Sequence, residues 1–329
     1  KNLKNKEDLF VIVERLKKIL DKGTIFKVDD ISINVQFHGG IAVYPDDGQD
    51  FKQLFQNASI SLKDAKEEGI NQIKLFNKNI EKKIKLKILI EDLIHKATKE
   101  NLFVFHYQPY FDSITKEIKG FEALVRIKDK DGKIHYPNEF IDLLEKSIYL
   151  DDFRNWALKE VSEKIKKWKK PISINISAKT FKNTDFPAEV IKYAKRLPAS
   201  LILEITERIY MDEPEKSEKI IRDLKKCKNI KIAIDDFGTG YSSLSYLKDI
   251  SADILKIDIS FVRAMIKDKK AKAVVEAIIT LAKALGMETL AEGVETEVQY
   301  NILKKMGVDY IQGFYFAKPL PEEEIEKLL

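Results

Sequence analysis

The 329 residues contain a single cysteine, Cys227. No disulfide can form within the chain, and a reducing compartment suits it. No apolar run approaches the roughly 18 residues that cross a bilayer. No secretory signal opens the sequence. The expectation is a cytoplasmic protein, or the cytoplasmic portion of a larger one, because the abrupt start leaves room for an upstream sensor or membrane region. Long basic blocks are missing as well. The net charge is +5, but lysines are interleaved with acidic residues along the whole chain. This pattern speaks against a polynucleotide-binding surface, and its mild positive excess suits a small anionic ligand. The four histidines, His38, His95, His106 and His135, show no metal-ligand spacing.

Apolar residues make up 44% of the chain, enough for a large core. From about Ile84 onward, β-rich runs alternate with amphipathic helical stretches. The runs are Leu102–Gln108, Gly120–Ile127, Ile172–Ser177, Leu201–Thr206, Lys231–Asp236, Asp253–Asp258, Glu288–Gly293 and Asp309–Phe314. Eight strands with helices between most of them predict an α/β fold, a (β/α)8 TIM-like barrel. The first two runs are joined only by a short segment around Ser113–Glu117. That is too short for a parallel crossover, so the first strand should run antiparallel. Within the strands one face is apolar and the other polar, as in Ser173-Ile174-Asn175-Ile176-Ser177. An apolar face packed on helices and a polar face turned inward explain this alternation. An antiparallel sandwich explains it too, but has no place for the long helical segments.

Residues 1–80 read as a small partial α+β domain and 81–329 as the barrel domain, with a helical connector over about 77–99. In the first part the pattern suggests a strand at Leu9–Val13, a helix at Glu14–Leu20, a β-rich stretch Ile31–Tyr44 and a helix near Phe51–Ala65.

Polar groups sit on successive barrel strands: Glu122, Asn175, Glu204, Asp235 with Asp236, Lys256, Glu292 and Gln312. Most fall near C-terminal strand ends, where barrel enzymes place their active sites. Each alone has an ordinary structural explanation as a rim charge, a turn or a snorkelling lysine. Their shared phase on successive strands does not. Five carboxylates converging on one mouth repel one another unless cations intervene, and oxygen-only ligation points to Mg²⁺ or Mn²⁺. The adjacent pair Asp235-Asp236 can bridge two ions, an arrangement suited to in-line attack on phosphorus.

The motifs then fall into a known order. Glu122-Ala123-Leu124 with Val125-Arg126 resembles the name-giving motif of the EAL family of cyclic di-GMP phosphodiesterases. Tyr107-Gln108-Pro109, Asn175-Ile176-Ser177, Leu203-Glu204-Ile205-Thr206-Glu207, Asp235-Asp236-Phe237-Gly238-Thr239-Gly240, Leu255-Lys256-Ile257-Asp258, Glu292-Gly293-Val294-Glu295 and Gln312-Gly313 resemble its other motifs. Phe140-Ile141-Asp142-Leu143-Leu144-Glu145 departs from the family, which usually has a proline and an alanine there.

The resemblance implies hydrolysis of cyclic di-GMP to linear pGpG at a two-metal site, with Ca²⁺ inhibitory. Glu122, Asn175, Glu204 and Asp235 would hold one Mg²⁺ or Mn²⁺, and Asp235, Asp236 and Glu292 the second. Lys256 would position the attacking water, so Lys256, Glu292, Asp236 and Glu204 stand as the catalytic set. Gln108, Arg126 and Gln312 are implied at the substrate, and a guanidinium suits bidentate grip on phosphate. Glu207 and Glu295 would steady the Asp236–Leu244 loop, and a homodimer would form through helices near it. A non-catalytic cyclic di-GMP receptor is the alternative, although every ligand position is filled. The N-terminal part resembles the second half of a GGDEF domain through Gly40-Ile41-Ala42-Val43-Tyr44-Pro45 and Asp47-Gly48. Lys6-Glu7-Asp8-Leu9-Phe10 stands where the signature loop should be. It lacks the glycines that let backbone approach a nucleotide, so this part is expected to be non-catalytic.

Overall fold

The computed structural model describes residues 6–21, 24–28, 31–35, 37–238 and 250–329. The chain divides into two compact units, Lys1–Leu93 and Ile94–Leu329, and the division falls within the helix Lys78–Glu100.

Among its described residues, the second unit is a closed barrel of eight strands: β1 Phe103–Asp112, β2 Ile118–Lys128, β3 Ile172–Asn175, β4 Leu201–Thr206, β5 Ile230–Phe237, β6 Ile254–Ile257, β7 Glu288–Ala291 and β8 Tyr310–Gln312. Strands β2 to β8 run parallel around the wall. Strand β1 closes it, antiparallel to both β2 and β8. The tight turn after Asp112 imposes that direction: the Asp112 carboxylate accepts from the backbone N–H groups of Ile114 and Thr115, each at 2.9 Å. A two-residue strand, Ile134–His135, extends the β2 edge.

Alternation sorts the side chains of each strand between two cores. Outward residues such as Ile174, Leu203, Ile205, Ile234 and Ile257 are buried, as are Leu158, Val161, Ile165, Val275 and Ile279 on helices Leu150–Trp168 and Lys269–Ala284. Each such side chain contributes about 1.5–3 kcal/mol on burial. Inward, Tyr110, Ile202, Ala233, Ile254 and Leu290 pack together as an apolar floor. Gly120 makes room for the Tyr110 ring, since a Cβ there would lie 2.3 Å from the tyrosine hydroxyl. Two residues further along the parallel strands, and two residues back on the antiparallel β1, the inward positions become polar, and that layer is the candidate site.

In the first unit, helix Phe51–Glu67 packs on the parallel pair Gly39–Ile41 and Ile73–Leu75. The approach is backbone to backbone: a Cβ at Gly40 would lie 2.0 Å from the Ala58 carbonyl oxygen. Thr24–Val28 and Ile31–Val35 form an antiparallel pair. The expected strand at Leu9–Val13 is instead part of a helix, Lys6–Asp21. No glycine or proline interrupts that stretch, and among its described apolar residues Val13 joins the core with Ile73. A five-residue apolar run cannot by itself distinguish strand from helix. Lys6–Phe10, expected at the position of a signature loop, is the opening of the same helix. No helix of the described residues is long and apolar enough to cross a membrane.

Candidate active site

The middle of β2 and the C-terminal ends of β4 to β7 deliver charged side chains to one point. Lys256, inward on β6, is 1% exposed, and its Nζ lies 2.7 Å from Glu204 Oε2, 2.7 Å from Glu292 Oε1 and 3.1 Å from Asp235 Oδ1. Glu122 Oε2 is 3.8 Å away. The β5–β6 ladder shifts register between Ile234 and Phe237, and at this irregularity Asp236 takes a left-handed conformation with φ 55°. The Asp236 backbone N–H donates to Asp235 Oδ1 at 3.0 Å.

Amides complete the layer. Asn175 Nδ2 donates to Glu122 Oε1 at 3.0 Å, and Gln312 Nε2 donates to Glu122 Oε2 at 2.6 Å and to Gln108 Oε1 at 3.2 Å. Glu122, placed early in its run by the sequence, reaches the mouth because β2 pairs it with Gln108 on β1 and Ser173 on β3.

Burial sets the electrostatics. It pushes Glu204 well up, Glu122 and Asp235 push in the same direction, and Lys256 opposes them. Burial likewise pushes Glu292 up to about 8 against the pull of Lys256. For Lys256 burial works downward, but Glu122, Glu204, Glu292 and Asp235 together hold the ammonium well above its usual range. Asp236 is raised by burial and by its neighbours Asp235 and Asp258.

The donor set is one a hard divalent cation would use: carboxylate and amide oxygens without sulfur or imidazole. Gln312 Oε1 is a buried acceptor with no hydrogen-bond partner. Among the described residues no group of three or more acidic side chains is arranged to hold a metal ion; Glu204, Glu292 and Asp235 instead converge on the Lys256 ammonium. The residues fit the implied ions by chemistry, with the carboxylates drawn onto the lysine.

The remaining sequence-named residues lie around this core. Gln108 Nε2 donates to the Ala317 carbonyl at 3.2 Å. Arg126 is buried two residues beyond Leu124 on β2 and, among the described residues, forms no ion pair with the carboxylates; Glu122 attracts it only at longer range. Its Nη1 donates to the Val125 carbonyl at 2.7 Å, and its Cζ lies 5.0 Å from the centre of the Tyr136 ring. Glu207 Oε2 accepts from the Gly238 backbone N–H at 3.2 Å. Glu295 pairs with Arg263 at 2.7 Å. Most of the Asp236–Leu244 loop lies outside the described residues. Sequence reasoning passed over Tyr136 and Arg263. The only signal for Tyr136 is its place before Pro137, and for Arg263 its place one turn beyond Lys256-Ile257-Asp258.

A cavity of about 260 Å³ opens at the mouth, lined by Gln108, Glu122, Leu124, Arg263, Glu292 and Phe314 among others. A larger one of about 570 Å³ lies behind the wall, between Phe105, Val125 and Ile174 of the strands and Ile141, Phe153 and Leu158 of the helices. The smaller one holds the polar groups that chemistry needs.

Comparison with known proteins bears on this arrangement. Residues 91–319 match the EAL domain. The signaling protein YkoW of Bacillus subtilis is 34% identical over 97% of this chain and 40% of its own length. The cyclic di-GMP phosphodiesterase PdeR of Escherichia coli is 30% identical over 92% of this chain and 47% of its own. The chain thus spans less than half the length of these relatives. Among solved structures, the PaMucR phosphodiesterase in complex with c-di-GMP superposes with a TM-score of 0.68 at 33% identity, covering 72% of this chain and 99% of that one.

Proposed function

The chain belongs to the EAL domain family, and on that premise we propose that it is a metal-dependent phosphodiesterase that opens cyclic di-GMP to linear pGpG. The observation that carries the reading is the buried layer of Glu122, Glu204, Asp235 and Glu292 around Lys256 at the barrel mouth. One lysine cannot neutralise four carboxylates, and the deficit is what divalent cations would fill. Glu122, Asn175, Glu204 and Asp235 would hold one Mg²⁺ or Mn²⁺, and Asp235, Asp236 and Glu292 the other. Such ions supply an activated water and neutralise charge developing on a phosphoryl group. In the hydrolysis a water oxygen bonds to phosphorus, the P–O3′ bond breaks, and the 3′ oxygen leaves as a hydroxyl.

The chain's own groups do the rest. Lys256 holds a proton at the centre of the layer and orients the carboxylate oxygens. Gln312 fixes Glu122, and Gln108 fixes Gln312. Arg126 offers a guanidinium to a phosphate of the dinucleotide. The reading extends to a homodimer through the barrel and to a first unit that is a non-catalytic GGDEF-like remnant. Incubation with cyclic di-GMP and Mg²⁺ or Mn²⁺, with products resolved by chromatography, tests it. Linear pGpG should form, chelator should abolish it, and Ca²⁺ should support little because its longer coordination misplaces the water. Full turnover in chelated protein would rule out the metal-dependent mechanism. Tight binding with no product in Mn²⁺ would instead make the chain a receptor.

A further inference from the structure

Among the described residues Arg126 is a buried cation in no ion pair, and burial pulls its guanidinium downward against the longer-range attraction of Tyr136 and Glu122. It is 6% exposed, its Nη1 is spent on the Val125 carbonyl, and its Nε is buried with no hydrogen-bond partner. Burying a guanidinium unpaired is costly, so such a group is poised for an anion. It stands on the same strand face as Glu122, just past Leu124 of the mouth cavity.

Tyr136 is 52% exposed, and the Arg126 Cζ lies over its ring, 5.0 Å from the ring centre. Its backbone is fixed from several sides. Pro137 restricts the preceding residue to extended conformations, and Tyr136 sits at φ −96°, ψ 156°. The Tyr136 N–H donates to Glu139 Oε1 at 3.0 Å, and its carbonyl accepts from the Glu139 N–H at 2.9 Å. The preceding His135 is clasped between Glu139 Oε2 at 3.0 Å and Asp129 Oδ2 at 3.1 Å. The backbone that carries the ring is therefore placed by the chain, independently of the arginine.

We propose that Tyr136 is a positioning residue for Arg126, holding one face of the guanidinium so that its edge donors meet a phosphate of the bound dinucleotide. A planar cation can stack on a ring and still donate in its own plane. Ordering the long side chain in advance lowers the entropy cost of binding. The inference rests on the phosphodiesterase reading and assigns Tyr136 to affinity rather than to chemistry.

The test is steady-state hydrolysis of cyclic di-GMP by the full chain with Mn²⁺, with affinity for the nucleotide measured alongside. Tyr136→Ala and Tyr136→Leu should raise KM about 3- to 30-fold, the range of a cation–π contact that is partly or fully desolvated. Their kcat should stay within about twofold of wild type. Tyr136→Phe keeps the ring face and should keep the wild-type KM. In an Arg126→Ala background, Tyr136→Ala should add no further loss. Melting temperatures establish that each variant folds, and Tyr136→Leu retains the apolar cover if Tyr136→Ala does not. Unchanged KM in both ring-less variants, or additive losses in the double variant, overturns the proposal while the phosphodiesterase reading stands. A wild-type chain that binds cyclic di-GMP without hydrolysing it defeats only the catalytic reading, and the affinities then carry the same comparison. A wild-type chain that binds none defeats both.

Discussion

The ammonium of Lys256 lies 2.7 Å from Glu204 Oε2, with the two side chains 1% and 3% exposed. An ammonium has three protons to donate, and Glu204, Glu292 and Asp235 stand within 3.1 Å to receive them. The apolar floor beneath, from Tyr110 to Leu290, keeps water from solvating the cluster from below. Position on the strands, burial and charge combine into one property: the layer is short of positive charge. Burial and the neighbouring carboxylates push Glu204 and Glu292 upward, so in the metal-free chain protons meet part of the shortfall.

Lys256→Met should therefore destabilise the metal-free protein by about 3–5 kcal/mol, the usual consequence of removing one partner from a buried ion pair. Chemical denaturation in chelator measures it. Turnover should fall by orders of magnitude even with saturating Mn²⁺. Wild-type stability in the variant would mean that the carboxylates do not depend on the lysine.

A pH dependence follows from the same groups. The folded state raises Glu204 and Glu292, Glu292 to about 8. An acid raised on folding binds its proton more tightly in the native state, so its stabilisation is present at low pH and lost as pH rises through the folded value. Between pH 6.5 and about 8 the metal-free melting temperature should fall, and divalent-ion affinity should rise as the ion displaces protons. Calorimetry in buffers of different ionisation enthalpy reads the proton release directly. A flat melting temperature across this window, with no proton release, contradicts the assignment.

Gly120→Ala should destabilise the barrel with little effect on the mouth chemistry. The new Cβ would meet Tyr110 Oη at 2.3 Å, Tyr110 Cζ at 2.5 Å and the Pro171 carbonyl oxygen at 2.6 Å. Overpacking of a closed core costs about 1–3 kcal/mol. The urea midpoint should drop at constant m-value, and an unchanged midpoint would show that the floor is loosely packed.

The barrel was legible because its signals are local. Alternation in Ile172–Asn175 and Leu201–Thr206 reports an apolar outer face directly, and the short Ser113–Glu117 link dictates an antiparallel β1. Leu9–Val13 was misread because its packing partner, Ile73, is sixty residues away and nothing local separates helix from strand. In the site, the phase of the carboxylates could be read from their strands. The central place of Lys256 could not, since a long flexible side chain can end far from its Cα. Tyr136 was invisible for a related reason: its meaning comes from Arg126 on a neighbouring strand, across a turn that the sequence describes only as Asp131-Gly132.

Glu207 joins the ends of two strands. It opens helix Glu207–Asp212 directly after β4, and its buried carboxylate accepts from the Gly238 N–H, just past Asp235-Asp236 on β5. Gly238 has φ 89°, where side chains are strained, and a Cβ there would stand 3.0 Å from the Phe261 ring. Gly238 is thus held by a hydrogen bond at its N–H, and the Phe261 ring leaves no room for a side chain there. Outer-shell partners of metal sites typically affect affinity or activity by about 10- to 100-fold. Glu207→Ala should therefore raise the Mn²⁺ concentration needed for half-maximal turnover by that order, whereas Glu207→Gln keeps an acceptor and should lose much less. Glu295 is the contrast. Its pair with Arg263 stands part-exposed at the rim of the mouth cavity, and such exposed pairs contribute about 0–1 kcal/mol. Glu295→Ala should leave the Mn²⁺ requirement nearly unchanged. A Mn²⁺ titration of both alanine variants decides the matter: equal shifts would give Glu295 the loop-steadying role implied by the family resemblance, and no shift in either would free the segment from both.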